Sequence, residues 1–166
     1  MSFVAVLMGS ESDWPVMQNC TDVLDRLGIE NEVRISSAHR TPQATAAYVA
    51  DAVERGCAAF VCGAGMAAHL AGAVAAHTVR PVIGVPIDSG PLSGLDALLA
   101  TVQMPGGIPV ATVAVGKAGA RNAGYLAAQM LGVGDAALAG RLEEDREGNR
   151  AKIQAQNERL QAELRR

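Results

Sequence analysis

The chain has 166 residues, of which 31 are alanine and 18 are glycine, and its formal net charge is −3. This length corresponds to one domain, with or without an appendage. Lys and Arg form no stripe or cluster outside the mixed-charge C-terminal stretch, which excludes a nucleic-acid-binding surface. The last 26 residues carry 13 of the 31 charged residues, so 18 remain for the first 140. That number is too small to cover the surface of a monomer, and we expect other subunits to bury part of it.

Two uncharged segments resemble targeting or membrane segments at first sight. Residues 1–8 have no basic region and no cleavage site, so they predict a β-strand rather than a signal peptide. The 24 residues between Arg55 and Arg80 lack Asp, Glu, Lys and Arg and are long enough to span a bilayer. Glycines and two histidines interrupt them, so they predict a strand, a glycine turn and an alanine-rich helix. We therefore expect a cytoplasmic protein without a membrane partner.

The cysteines and histidines do not support a metal site or a covalent nucleophile. Cys20, Cys57 and Cys62 are odd in number and lack the C-x2-C spacing of zinc and redox sites, so we expect buried, reduced thiols. The three histidines are scattered along the chain and offer no set of metal ligands. No G-x-S-x-G motif occurs, and no cysteine lies in a polar loop.

The order of short and long segments predicts a doubly wound sheet. Short, mostly apolar runs predict strands at Phe3 to Met8, Glu30 to Ser36, Cys57 to Cys62, Pro81 to Val85 and Pro109 to Val115. Longer amphipathic or alanine-rich runs predict helices at about Asp13 to Leu27, Pro42 to Arg55, Ala67 to His77, Leu92 to Thr101 and Ala118 to Leu131. This βαβ repetition predicts a flavodoxin-like α/β fold, a three-layer αβα sandwich with a parallel sheet of order 2-1-3-4-5. Four strands are apolar enough to be covered on both faces, whereas the second alternates and belongs near a sheet edge.

The segment from about Asp135 onward differs from the rest in composition. It is charged and rich in glutamine, with a thin apolar stripe at Leu138, Leu142, Ile153, Leu160 and Leu164. This pattern predicts a long exposed helix that docks on a neighbouring subunit, because so narrow an apolar face does not support a helix in water. The alternative is a frayed, solvated tail. We predict a catalytic domain over residues 1–134 and a helical extension over residues 135–166.

In a doubly wound sheet, ligands bind beyond the carboxyl ends of the strands, so the loops there are candidate sites. The first such loop runs from Gly9 to Pro15. Its backbone N–H groups and the hydroxyls of Ser10 and Ser12 suit a phosphate, and Asp13 can accept hydrogen bonds from ribose hydroxyls. The loop therefore indicates a ribose phosphate. The alternative is helix capping by Ser12 or Asp13, with Pro15 in the first turn.

The second loop contains a His-Arg pair. Thr41 and Pro42 predict the start of the next helix, which leaves Ser37, His39 and Arg40 in the loop itself. Histidine gives and takes protons near neutral pH, so His39 is a candidate acid–base residue. Arg40 can chelate a phosphate or a carboxylate. The alternative is a surface His-Arg pair without a function.

The third loop is rich in glycine. Gly63, Ala64 and Gly65 permit a tight turn and a close approach of the backbone to a ligand. The spacing matches neither G-x-G-x-x-G nor a P-loop, so no motif supports ATP or NAD. His69 begins the next helix at the same crevice, in either a structural or a supporting role. Two more loops rich in glycine and proline are expected to form walls: residues 89–94 and 103–109.

Several segments occur in the order and spacing of a known family: MGSESDW, SSAHRTP, GAGMAAHL, IGVPIDSGPLSGLDALL and QMPGGIPVATVAVGKAGARNAGYLAAQML. Over residues 3 to about 140 the chain resembles the N5-carboxyaminoimidazole ribonucleotide mutase (PurE) family of bacterial purine synthesis. The resemblance implies an isomerase that moves a carboxylate of its ribonucleotide substrate from the exocyclic nitrogen to ring carbon C4. It also implies that no metal, ATP or biotin cofactor takes part, and that the enzyme is a homo-octamer with active sites where subunits meet.

The same resemblance assigns roles to residues. His39 is the general acid and base. Ribonucleotide contacts are implied at Ser10, Ser12, Asp13, Ser37 and Arg40, the last on the phosphate side. The migrating carboxylate is implied to be surrounded by Gly63, Ala64, Gly65 and His69. Two positions depart from the family pattern: Met66 stands where a second glycine is usual and Ala71 where proline is usual, so we expect a differently shaped turn around the carboxylate.

Two alternative functions remain from the sequence. The first is direct carboxylation of aminoimidazole ribonucleotide by free carbon dioxide, which gives the same product; the QMPGGIPV segment resembles the mutase class instead. The second is a non-enzymatic flavodoxin-like module, either a flavin-binding electron carrier or a phosphoacceptor receiver. An aromatic content of 3% offers little to sandwich a flavin, and Asp13 and Asp88 alone do not form a receiver's acidic cluster.

Overall fold

The computed structural model describes residues 2–165. Within that range the strands are β1 (Phe3–Met8), β2 (Asn31–Ile35), β3 (Cys57–Gly65), β4 (Val82–Ile87) and β5 (Ala111–Thr112). The helices are α1 (Trp14–Arg26), α2 (Pro42–Glu54), α3 (Leu70–Ala75), α4 (Leu95–Val102), α5 (Gly116–Gly132) and α6 (Ala136–Leu164), with a short 3-10 helix at Glu11–Asp13. The strands are parallel and lie in the order β2-β1-β3-β4-β5. The predicted flavodoxin-like α/β fold with a C-terminal helix is confirmed.

The central and edge strands differ in burial as their sequences predict. All six residues of β1 and all six of β4 are buried, as expected for strands that are covered on both faces. In β2, Val33, Arg34 and Ile35 are exposed, and the strand lies at one edge of the sheet. Glu32 forms salt bridges there to Arg34 at 3.4 Å and to Arg55 at 2.7 Å. Charged side chains of this kind protect an edge strand against pairing with another chain.

Helices cover both faces of the sheet. Alternate residues of β1 point to one face, where they pack with α2 and α3 in a cluster that includes Phe3, Ala5, Leu7, Tyr48, Val49, Phe60, Leu70 and Val74. On the other face, Met17 of α1 fills the space beside Gly63 of β3. Gly124 of α5 lies so close to α1 that an added methyl group would be 2.8 Å from the carbonyl oxygen of Cys20. Small residues therefore allow the close layers of this fold.

The last strand is shorter and more exposed than predicted. β5 pairs with β4 through two residues, opposite Ile83 and Gly84, instead of extending from Pro109 to Val115. Pro109 has no N–H to donate to a neighbouring strand, and β5 has one neighbour because it is the second edge of the sheet. Both residues of β5 are half-buried, so the expectation that this strand is covered on both faces was wrong.

Two helices begin later than predicted because the preceding residues form caps. α3 begins at Leu70, since His69 is its N-cap and accepts a hydrogen bond from the backbone of the first turn. α4 begins at Leu95, since Gly94 has a φ of 80°. Glycine adopts this left-handed conformation readily, whereas a helix cannot continue through it. The loops that precede these helices are therefore longer than the apolar pattern indicates.

The chain divides into two compact units, one ending at Ala128 and the other beginning at Gln129. The second unit consists mainly of α6, whose N-cap Asp135 accepts a hydrogen bond from the N–H of Leu138 at 3.0 Å. Leu138 is buried and Leu142 is half-buried, whereas the last three residues of the predicted stripe are exposed: Ile153, Leu160 and Leu164. The domain boundary predicted at residue 134 and the docking of α6 on another subunit stay predictions.

The three cysteines are buried and form no disulfide. Burial raises the pKa of the Cys20 thiol to about 12, and it also raises the pKa values of Cys57 and Cys62. These thiols are therefore protonated and unreactive at neutral pH, as the sequence predicts. Between residues 2 and 165, every helix is too short or too polar to cross a membrane.

Candidate functional site

The carboxyl ends of the parallel strands β1 to β4 lie at the same end of the sheet. The residues that follow them surround a cavity of about 370 Å³, here called the site cavity. Nine of the residues predicted from the sequence line it: Ser10, Ser12, Asp13, Ser37, His39, Arg40, Ala64, Gly65 and His69. The other lining residues are Gly9, Ala38, Met66, Ala68, Leu70 and Ser89. This volume is within the range of pockets that hold small-molecule ligands.

The remaining predicted residue, Gly63, lies outside the wall of the site cavity and supports it. Its carbonyl oxygen accepts a hydrogen bond from the N–H of Gly9 at 3.3 Å, which joins the first loop to β3. A methyl group on Gly63 would overlap Sδ of Met17 and lie 3.1 Å from Cδ1 of Ile87. Gly63 is therefore a position where helix α1 approaches the sheet closely.

The first loop is fixed by a reciprocal cap around Ser10. The N–H of Ser10 donates to Oδ2 of Asp13 at 3.0 Å. The hydroxyl oxygen of Ser10 accepts from the N–H of Ser12 at 3.4 Å and from its hydroxyl at 3.0 Å. Asp13 occupies the N-cap position of α1, as the sequence allows, but its side chain bonds back to Ser10 instead of to the helix. Pro15 lies in the first turn of α1, as predicted.

Asp13 is a buried carboxyl group held in one orientation. Its side chain is 6% exposed. Desolvation raises its pKa, while hydrogen bonds from the backbone of Ser10 and Gly9 act in the opposite direction and are outweighed. A carboxyl group fixed in this way at the cavity wall is suited to accept hydrogen bonds from hydroxyl groups of a ligand.

Ser36 attaches the second loop to its surroundings. Its N–H donates to the carbonyl oxygen of Met8 at 2.7 Å, and its buried hydroxyl lies 2.8 Å from the hydroxyl of Thr45 in α2. The carbonyl oxygen of Ser37 accepts from the N–H and the hydroxyl of Thr41 at 2.8 and 3.0 Å. Thr41 is the N-cap residue of α2, as predicted, although its hydroxyl closes this turn instead of capping the helix.

His39 and Arg40 form the exposed tip of the second loop, and both line the site cavity. The hydroxyl oxygen of Ser37 accepts from the backbone N–H of Arg40 at 3.2 Å and from its Nε at 3.3 Å. Ser37 therefore orients the guanidinium group. Between residues 2 and 165, no carboxylate forms a salt bridge with Arg40, and the imidazole of His39 has no hydrogen-bond partner. Both side chains are available to a ligand.

Gly63, Ala64 and Gly65, which were predicted as a loop with a tight turn, are the last residues of β3 and pair with β4, so that prediction was wrong. The end of β3 packs closely on the loop that follows β4. A side chain on Gly65 would overlap the hydroxyl of Ser89 and lie 3.2 Å from the carbonyl oxygen of Ile87. Glycine is required here because the neighbouring loop occupies the space of a side chain, whereas the predicted close approach of this backbone to a ligand stays a prediction. Ala64 is 6% exposed and forms the deep part of the wall.

His69 is held as a neutral, oriented imidazole. Its Nδ1 accepts a hydrogen bond from the N–H of Gly72 at 3.3 Å, which leaves the proton of the neutral ring on Nε2. Nε2 lies 2.8 Å from Sδ of Met104. Desolvation lowers the pKa of His69. A methyl group on Gly72 would overlap the imidazole ring, so glycine at that position leaves the space that the ring occupies.

Sequence reasoning missed the contact between His69 and Met104. These residues are 35 positions apart, and Met104 belongs to a loop that was expected to form a wall. No local pattern connects them, because the contact depends on how the loops after β3 and before β5 fold over each other. The sequence identifies Met66 as a departure from the family pattern but does not predict its backbone conformation. Met66 lines the site cavity with a positive φ of 55°.

A second, more open cavity of about 630 Å³ runs along the edge strand and is lined by Met8, Glu11, Trp14, Val33, Arg34 and Ile35. It contains no histidine and none of the predicted site residues. In the described part of the chain, no three His, Cys, Asp or Glu side chains are grouped so that they could hold a metal ion. The predicted chemical groups are therefore concentrated in the site cavity.

The chain is similar to known proteins over most of its length. A family model described as AIR carboxylase matches residues 3–152. An N5-carboxyaminoimidazole ribonucleotide mutase of Bacillus subtilis is 50% identical over 157 residues, which are 95% of this chain and 97% of the relative. A mutase of the same name from Mycobacterium tuberculosis is 55% identical over 139 residues, 84% of this chain and 79% of the relative. The crystal structure of Treponema denticola PurE matches with a TM-score of 0.85 and 29% identity, covering 96% of this chain and 99% of that one.

The lowered pKa of His69 makes the stability of the fold depend on pH. Unfolded histidine has a pKa of about 6.5, so below this pH the unfolded chain takes up a proton before the folded one does. The contribution of His69 to the free energy of unfolding is therefore complete above about pH 6.5 and is lost as the pH falls through the lowered folded pKa.

We expect the variant His69→Asn to lose this part of the pH dependence, because asparagine is a good N-cap and can accept the same hydrogen bond from Gly72 without titrating. Urea unfolding of both proteins, at one pH above and one below the ordinary histidine pKa, measures the difference. If the free energy of unfolding changes equally in both proteins between the two pH values, His69 is not the titrating group.

Proposed function

Because the chain belongs to the AIR carboxylase family, we propose that it isomerises N5-carboxyaminoimidazole ribonucleotide to 4-carboxy-5-aminoimidazole ribonucleotide in purine biosynthesis. Relatives at 50–55% identity carry the name of the mutase, which favours isomerisation over direct carboxylation by free carbon dioxide. The observation that carries the site assignment is the composition of one cavity, in which His39 and Arg40 share the wall with Ser10 and Asp13.

The reaction moves a carboxyl group from nitrogen to carbon. The N–C bond of the carbamate breaks, its electron pair stays on nitrogen, and nitrogen takes a proton as carbon dioxide is released. Ring carbon C4 then attacks the carbon dioxide, and the C4 proton leaves to restore the aromatic ring. One acid–base residue serves both steps, because donating the first proton leaves it ready to accept the second. We assign this role to His39, whose imidazole is exposed to the site cavity.

The ribose phosphate is bound by the first two loops in this proposal. Arg40, oriented by Ser37, provides charge-assisted hydrogen bonds to the phosphate, and the serine hydroxyls of the first loop add neutral ones. Asp13 accepts hydrogen bonds from the ribose hydroxyls. Since Asp13 is buried and Arg40 is exposed, the ribose lies deeper in the cavity than the phosphate.

The carboxylate moves along the wall formed by Ala64, Gly65 and His69. The Nε2–H group of His69 points at a thioether, which is a weak hydrogen-bond acceptor, so an anionic carboxylate oxygen can replace Met104 as its partner. A neutral donor suits this position because it stabilises the carboxylate without forming a tight ion pair that would hinder its migration. Small apolar side chains such as Ala64 exclude water from the released carbon dioxide.

We propose that the enzyme is cytoplasmic, as its buried, reduced thiols suggest, and that it is a homo-octamer, as the resemblance implies. Large apolar side chains on and around α4 support an interface there, because they are at least 40% exposed in the isolated chain: Leu92, Leu95, Leu99, Val102 and Ile108. Soluble monomers rarely expose contiguous apolar patches of this kind. In this assembly α6 docks on a neighbouring subunit, and the active sites are completed where subunits meet.

The variant His39→Asn tests the acid–base assignment. We expect kcat for the isomerisation to fall by about 10²- to 10⁴-fold, the usual contribution of a general acid–base group, while the ribonucleotide still binds. Separate assays with N5-carboxyaminoimidazole ribonucleotide, and with aminoimidazole ribonucleotide plus bicarbonate, measure the two possible activities of the parental protein. Turnover of the variant near the parental rate would rule out His39, and turnover of the second substrate alone would show a carboxylase.

The variant Arg40→Ala tests phosphate binding. Loss of a charge-assisted hydrogen bond weakens binding by about 10- to 100-fold, so we expect KM for the ribonucleotide to rise by that factor with a smaller change in kcat. Arg80→Ala is the matched control, because Arg80 is exposed and lies at the amino end of β4, whereas the site cavity lies at the carboxyl ends of the strands. Equal KM values for the Arg40 variant and the control would contradict the assignment.

The mass in solution tests the assembly. Eight chains of 17.1 kDa give about 137 kDa by light scattering. We expect Leu95→Glu to lower both the mass and the activity, because it places a charge on the proposed interface, whereas Val79→Glu on another exposed apolar residue leaves both unchanged. A parental protein with the mass of a single chain would contradict the octamer and the shared active sites.

A further inference from the structure

Met66 has an unusual backbone conformation at the site cavity. Among residues 2–165, the non-glycine residues with positive φ are Met66, at 55°, and Ser93, at 52°. This left-handed region is unfavourable for a residue with a side chain, and such residues persist where the surrounding structure holds them. Ser93 lies outside the wall of the site cavity, whereas Met66 is part of it. The two residues therefore share a backbone feature and differ in their surroundings.

The side chain of Met66 lies at the solvent end of the site cavity. It is 57% exposed, whereas Ala64 in the same wall is 6% exposed. A methyl group built on Gly90 would be 3.5 Å from Cγ of Met66, so the side chain packs against the loop that follows β4. An unbranched apolar side chain that follows β3 thus lies beside Gly90 in the loop that follows β4.

We infer that the side chain of Met66 closes the mouth of the site cavity and retains released carbon dioxide until C4 captures it. The inference rests on the proposed isomerase function. Carbon dioxide is small and apolar, and it is lost either by escape or by hydration. An apolar side chain at the mouth opposes both routes. Methionine is flexible enough to move aside for the ribonucleotide and to pack over it afterwards.

An isotope experiment measures this retention. The parental protein converts N5-carboxyaminoimidazole ribonucleotide in a single turnover, with enzyme in excess and ¹³C-bicarbonate in the medium. Product that carries the heavy label has lost its original carbon dioxide and recaptured another molecule. We expect a several-fold higher labelled fraction for Met66→Gly and Met66→Ala than for the parental protein, and a parental value for Met66→Leu. A blank without enzyme corrects for spontaneous decarboxylation of the substrate.

The variants distinguish an effect of the Met66 side chain from an effect of its backbone conformation. Met66→Ala keeps a non-glycine residue in the left-handed conformation, while Ser93→Gly relieves the same type of conformation outside the cavity. If label increases in Met66→Gly but not in Met66→Ala, or increases equally in Ser93→Gly, the side-chain role is wrong. Unchanged labelling together with unchanged release of aminoimidazole ribonucleotide in every variant also overturns it. Thermal melting shows that each variant is folded, and failure of the parental protein to isomerise the substrate contradicts the proposed function instead.

Discussion

The end of β1 is hydrogen-bonded to a neighbour on each side, and the geometry of the site follows from this constraint. Met8 is in register with Ile35 of β2 and with Gly63 of β3. The pairing continues past the strands, because Ser36 donates to Met8 at 2.7 Å and Gly9 donates to Gly63 at 3.3 Å. The first two loops therefore leave the sheet at one level, β3 continues two residues further to Gly65, and short segments bring serines, His39 and Arg40 to a single cavity.

Close packing then sets the shape of that cavity, and the small residues prominent in the composition make it possible. Gly65 allows the loop with Ser89 to approach β3, and Gly72 leaves room for the imidazole of His69. In both cases a polar side chain lies where a side chain on the glycine would be, so glycine lets the polar group take its position. Burial determines which charged forms are disfavoured in the site. Desolvation raises the pKa of Asp13 and lowers the pKa of His69, so both shifts favour the neutral form. The tip of the second loop, in contrast, is exposed to solvent.

The sequence predicts the parts of the fold that local patterns determine. Short apolar runs predicted β1 to β4, and the position of each loop after a strand predicted the meeting of His39 and Arg40 with the first loop. Long-range packing determined what was missed. Pro109 and its place at the sheet edge shorten β5, and the contact of His69 with Met104 joins loops 35 residues apart. The positive φ of Met66 occurs in a local turn, which the N–H of Ala68 closes by donating to the carbonyl oxygen of Gly65 at 3.2 Å, but the sequence has no glycine at this position to signal it.

The low number of charged residues outside the C-terminal helix is accompanied by exposed apolar residues. A chain with few charges needs another source of solubility or a partner, and here large apolar side chains are exposed on α4 and on the edge strand β2, including Leu95, Leu99 and Ile35. In contrast, α6 is polar on nearly all sides, with pairs such as Arg150 and Glu147 at 2.9 Å, yet Ile153 and Leu164 on it are also exposed. Exposed pairs of this kind contribute little to the stability of a helix. Large apolar side chains are thus exposed on both units, and this is the observation that supports the proposed homo-octamer.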